Sequence, residues 1–172
     1  MLGSFPPPKH RWSMDFYYPN FQNDMWRILG DIFYYDQYYF ILPHKKAFDR
    51  IKAIAFCEQY CVGIWDTAEE IIRLSGNASD IHLQVVKAFD LKTILQSLSE
   101  CKTIVITGQK AMEILLSVFD FTEPKIWTFS LCEVAGRLLR IYRMPSTSRA
   151  YPKPLLEKTK IYTTMFQEIW LI

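Results

Sequence analysis

The chain has 172 residues, half of them hydrophobic and 16% aromatic, with a net charge of +2. That is enough apolar material for one domain with a core, and no window approaches the ~18 continuous apolar residues of a membrane span. No basic start followed by an apolar run marks a signal peptide, so a cytoplasmic protein is expected.

Met1 and Leu2 lead into Gly3-Ser4-Phe5-Pro6-Pro7, a loop of small and proline residues. A first strand ending at this loop is therefore short or begins upstream. Tyr17-Tyr18-Pro19-Asn20-Phe21-Gln22-Asn23-Asp24-Met25-Trp26 follows. Met25, Ile28, Leu29 and Ile32 have helical spacing over Asp24–Phe33. A second helix fits Ala47–Gln59. Val62-Gly63-Ile64-Trp65 reads as a short strand, with Asp66 or Thr67 capping a helix over Ala68–Leu74. Ser75–Asp80 is a loop by composition, and Asp90–Ser99 a helix with Leu91, Ile94, Leu95 and Leu98 on one face.

The clearest strand is Thr103–Thr107, whose β-branched run suits a strand buried on both faces. A helix over Lys110–Phe119 follows. Leu138–Met144 is a further strand, leading into Met144-Pro145-Ser146-Thr147-Ser148-Arg149-Ala150. The last helix spans Leu155–Trp170. Strands alternating with helices imply α/β architecture in a single domain over 1–172, with a mostly parallel central sheet of about four strands covered on both sides.

Cys57, Cys61, Cys101 and Cys132 match no zinc spacing and read as reduced, buried thiols. His10, His44 and His82 form no metal or triad pattern. From Lys125 to Ile172 there are eight Lys/Arg against three acids, so basic charge gathers near the second loop.

The loops at Gly3–Pro7 and Ser146–Arg149, with Tyr17–Trp26, resemble the active-site motifs of the uracil-DNA glycosylase superfamily. The nearest resemblance is to its mismatch-specific and hypoxanthine-DNA glycosylase branch. It implies a three-layer α/β/α fold and excision of a deaminated base, uracil or hypoxanthine, flipped out of DNA. No cofactor or metal is implied. The expected partner is DNA carrying a deaminated or mismatched base, bound by a monomer away from membranes.

The resemblance also implies residue roles. Gly3, Ser4 and Phe5 would bring main chain to the base, and Tyr18 would stack on it. Phe5 stands where the mismatch-specific enzymes carry a water-positioning Asn. Tyr17, Tyr18, Asn23 and Trp26 instead match the Tyr-Tyr-(four residues)-Asn-x-x-Trp context of the hypoxanthine branch, which makes Asn23 the candidate catalytic residue. A helix N-cap is the other reading of Asn23. Ser146, Thr147, Ser148 and Arg149 would contact DNA phosphates, or form an ordinary Ser/Thr turn. Asp66 is a cap or loop organiser first and an acid or base second. The alternatives are a non-catalytic nucleic-acid-binding member of the superfamily and a flavodoxin-like domain for a small ligand.

Overall fold

The computed structural model describes residues 1–74 and 82–170. The loop expected at Ser75–Asp80 lies outside the described residues. The chain divides into two compact units. One comprises Met1–Phe5 and Trp65–Pro145; the other comprises Pro6–Ile64 and Ser146–Ile172.

The first unit is built on a five-stranded sheet. Its strands are β1 (Leu2–Gly3), β2 (Trp65–Asp66), β5 (Thr103–Thr107), β6 (Phe129–Val134) and β7 (Arg137–Met144), in the order β2-β1-β5-β7-β6. β1 runs parallel to β2 and β5, and β5 parallel to β7. Only β6 is antiparallel, joined to β7 through a tight turn with Ala135 and Gly136 at positive φ. The sheet is therefore α/β and mostly parallel, with one more strand than the sequence suggested.

Two helices of this unit, α3 (Leu91–Ser97) and α4 (Gln109–Val118), supply one side of its core. Leu91, Leu95, Ala111, Met112 and Leu115 pack in one cluster with Ile104 and Ile106 of β5 and Leu139 and Ile141 of β7. These strand residues alternate along each strand, as the pleat requires. Val105 and Tyr142 point to the opposite face and are buried too, so β5 is covered on both faces as its sequence predicted.

The expected helix over Ala68–Leu74 is instead strand β3 (Ala68–Arg73), paired antiparallel with β4 (Leu83–Ala88). Ala68, Glu69 and Glu70 favour helix locally, but Ile71 opposite Val85 and a Glu69–Lys87 ion pair at 2.9 Å reward the strand. The conflict leaves register shifts on either side of Glu70. Asp66 and Thr67 consequently cap no helix.

The second unit is helical among its described residues: α1 (Met25–Tyr34), α2 (Arg50–Gln59) and α5 (Leu155–Trp170). α2 starts later than its apolar pattern implies, because Asp49 caps it by accepting the Ile51 and Lys52 N–H groups. Aromatic rings form its core. Trp26, fully buried, meets Phe40 at 5.1 Å and Phe56 at 6.4 Å, and Phe33 of α1 meets Phe166 of α5 at 5.1 Å. Among the described residues no helix is long and apolar enough to cross a membrane.

Candidate functional site

In the first unit the parallel strands end on one rim. Taken in chain order, the four parallel strands are arranged 2-1-3-4, so the chain leaves β1 in opposite directions across the sheet. The crevice beyond the carboxyl ends of strands at such a reversal is where open α/β sheets bind ligands. Here it lies between β1 and β5, where Gly3-Ser4 and Thr107-Gly108 leave their strands.

Backbone bonds fix this rim. Thr67 donates both its N–H, at 2.8 Å, and its Oγ1, at 3.0 Å, to the Gly3 carbonyl. The Ala68 N–H donates to Ser4 O at 3.1 Å. Thr107 Oγ1 donates to Leu2 O at 3.2 Å, and the Gly108 N–H to Met144 O at the same distance. Ser4 is buried and Phe5 half-buried. Asp66 stands in register with Gly3 at the end of β2, so it shares the rim with the first motif.

In the second unit the polypeptide before α1 is held against the loop that precedes α5. Asn23 and Ser148 face each other in an isolated antiparallel bridge. The Asp24 N–H donates to Thr147 O at 2.8 Å, and the Arg149 N–H to Gln22 O at 3.2 Å. Motif residues remote in sequence are thereby zipped together.

The Asp24 carboxylate completes the join. Its Oδ1 accepts Arg149 Nε at 2.9 Å, and its Oδ2 accepts Lys158 Nζ at 3.1 Å. The Lys158 side chain is 1% exposed and also donates to Ser148 O at 2.8 Å. A buried ammonium demands such partners. Arg27 lies close by, its guanidinium 4.4 Å from the Phe21 ring and bonded to the carbonyls of Phe21 and Asn23. Burial first, and repulsion from Arg149 second, lower the Arg27 pKa below its ordinary value. Three cations thus surround one carboxylate.

Asn23 is half-buried, and its Oδ1 accepts the Met25 N–H at 2.9 Å. The N-cap position expected of Asn23 falls instead to Asp24, whose side chain makes no capping bond, and Asn23 satisfies the first helical N–H from one residue earlier. An amide oxygen carries a second lone pair and the amide nitrogen two donors, so capping does not exhaust the group. Tyr18 is half-buried and adopts φ 51°, which is uncommon for a bulky residue. Its loop is clamped: Ser13 donates N–H and Oγ to Pro19 O, both at 2.8 Å, and Trp26 Nε1 donates to Tyr17 O at 3.0 Å. Strained residues held by their surroundings concentrate at functional sites.

Ser146 Oγ accepts the Ser148 N–H, and Ser148 Oγ the Ala150 N–H, each at 3.2 Å. These hydroxyls therefore order their own turn, while each keeps its O–H to donate elsewhere. Thr147 is buried, and the Arg149 side chain is 46% exposed beyond its bond to Asp24.

Each unit thus gathers part of the expected set. Gly3, Ser4, Phe5 and Asp66 belong to the sheet unit, and Tyr18, Asn23 and Ser146–Arg149 to the helical one. Sequence reasoning overlooked Asp24, Arg27 and Lys158. A signal for Lys158 was present, since it precedes Tyr162 and Phe166 at helical spacing on the apolar face of α5. Of the four free cysteines expected to be buried, Cys132 is; Cys57 and Cys101 are half-buried and Cys61 is exposed. Among the described residues no three His, Cys, Asp or Glu side chains converge as a metal site. No family model matches the chain, and no characterised protein or solved structure matches it either.

Proposed function

We propose that this chain is a monofunctional DNA glycosylase of the uracil-DNA glycosylase type, with that superfamily's three-layer α/β/α fold. It hydrolyses the N-glycosidic bond of a deaminated base, uracil or hypoxanthine, flipped out of DNA. One observation carries the reading: Asn23 and Ser148, from two motifs at opposite ends of the chain, are bridged backbone to backbone. The parallel strand order and the position of Gly3-Ser4 at its reversal support it as well.

In this reading Tyr18 stacks on the extruded base. The bond from the sugar carbon to the base nitrogen breaks with its electron pair leaving on the base. Asn23 holds water against the cationic sugar carbon. An amide cannot take the water's proton, so bond cleavage runs ahead of attack, and oriented dipoles stabilise the charge on the departing base. The new C–O bond forms as the water's proton is lost to solvent. Ser146, Ser148 and Arg149 hold phosphates beside the lesion.

A non-catalytic nucleic-acid binder is the second reading. The engagement of Asn23 Oδ1 by Met25, and Phe5 in place of a water-holding residue, favour it. Labelled oligonucleotides bearing uracil, hypoxanthine, xanthine or a thymine mispair decide between them. Alkali-labile abasic sites at the positions of uracil or hypoxanthine are expected. Binding without cleavage on every lesion, in single and double strands alike, would establish the binder.

A further inference from the structure

We propose that the free edge of the sheet, strand β6, pairs with β6 of a second copy of this chain across a two-fold axis at Leu131. Among the described residues β6 pairs with β7 alone, so its outer edge carries unpaired N–H and C=O groups. Such an edge templates further pairing unless proline, lysine, a bulge or a covering element blunts it. Phe129-Ser130-Leu131-Cys132-Glu133-Val134 contains neither proline nor lysine.

Two hydrogen bonds define which residues face outward. The Arg143 N–H donates to Thr128 O, next to β6, so residues of that parity spend their backbone bonds on β7. The Arg140 N–H turns the other way, to Lys102 O, which makes Arg140 and its partner Leu131 a pair without mutual hydrogen bonds. The N–H and C=O groups of Phe129, Leu131 and Glu133 therefore point away from β7. An antiparallel pairing centred on Leu131 engages all of them, setting Leu131 opposite Leu131 of the second copy and Phe129 opposite its Glu133.

The side chains on that face fit the same register. Phe129 is 43% exposed, Leu131 53% and Leu138 65%, an unusual apolar run for a surface strand pair. The Arg140 guanidinium leans over the Phe129 ring at 5.5 Å. Glu133 of the second copy, opposite Phe129, thus arrives beside a cation, and the two-fold repeats the contact. Among the described residues neither Arg140 nor Glu133 has an ion-pair partner within its own chain. The register that saturates the backbone is also the one that joins these charges. It departs from the monomer expected from the sequence.

Sedimentation velocity of the full chain across the micromolar range tests this. A concentration-dependent dimer is expected. Glu133→Arg and Arg140→Glu each weaken it by about tenfold or more, because like charges then face each other, and the combined reversal restores it. Both residues are exposed, so folding survives the changes, and circular dichroism verifies that. A monomer at every concentration would overturn the proposal, as would a dimer indifferent to both reversals.

Discussion

Lys158 and Asp24 form a buried ion pair, Nζ to Oδ2 at 3.1 Å, with side chains 1% and 5% exposed. Because Lys158 also holds Ser148 O and Asp24 also holds Arg149, the pair ties α5 to the segment before α1. Removing Lys158 leaves the buried Asp24 carboxylate with the half-exposed Arg149 alone, at a cost of up to about 3–5 kcal/mol. Lys158→Ala should therefore lower the denaturant midpoint sharply. Lys158→Met with Asp24→Asn, which removes both charges of the pair together, should recover part of that loss. A single Lys158→Ala variant as stable as the parent would show that the pair contributes little.

Gly30 offers a test of packing in α1. A Cβ there would meet the Asp36 carbonyl at 2.5 Å, because the chain turns back through Tyr35 at φ 54° and the Asp36 N–H returns to Gly30 O. Alanine normally strengthens a helix interior. Here the clash is with backbone, and Gly30→Ala should instead destabilise by about 1–3 kcal/mol in chemical denaturation.

The sequence made the sheet's centre legible because burial on both faces leaves a β-branched run such as Thr103–Thr107. It concealed β3, where alanine and two glutamates favour helix and only pairing with β4 decides the outcome. Strand β6 escaped notice because Phe129 and Leu131 put apolar side chains on its solvent face, which blurs the apolar/polar alternation. Part of the basic excess after Lys125 is spent inside the fold. Arg143 pairs with Glu123, Arg137 bonds the carbonyls of Leu95 and Leu98, and Lys158 is spent on Asp24. Charge counts report composition, whereas binding needs cations left facing solvent. The motif loops were legible because their chemistry is local; the carboxylate that joins them was not, since Asp24 gains its role from residues at the far end of the chain.

The cysteines give a pH dependence. Burial pushes the Cys57 thiol up from 9.0 to about 11. The folded chain thus favours the neutral thiol. Its contribution to stability is complete below pH 9 and fades as pH rises toward 11, because the unfolded chain ionises first. Stability of the parent should fall across that window more steeply than that of Cys57→Ala. At neutral pH a thiol reagent should modify exposed Cys61 well ahead of Cys57.

Arg149 is half-exposed while its Nε rests on Asp24, which aims the rest of the guanidinium outward. If it grips a phosphate, Arg149→Ala should weaken binding equally for unrelated DNA sequences. The slope of log affinity against log salt should shrink by about 1. A loss confined to one sequence would make Arg149 a base reader instead.

Asn23 carries the chemical proposal and also a structural bond, so its test must separate them. Asn23→Ala removes the acceptor for the Met25 N–H and should cost about 1 kcal/mol of stability, as other caps do. It should also slow excision by ~10²-fold or more, the scale of losing one positioned stabilising group. Asn23→Asp keeps an oxygen for Met25, and a carboxylate is welcome at a helix N-terminus. Its stability should equal the parent's, while a negative charge and the lost amide donors change how water and the departing base are held. Excision that falls in both variants, with stability lost only in alanine and DNA binding retained throughout, assigns the rate to the amide itself. Full excision by both would remove Asn23 from the chemistry. Asp66, in register with Gly3 on the sheet rim, would then be the next carboxylate to replace.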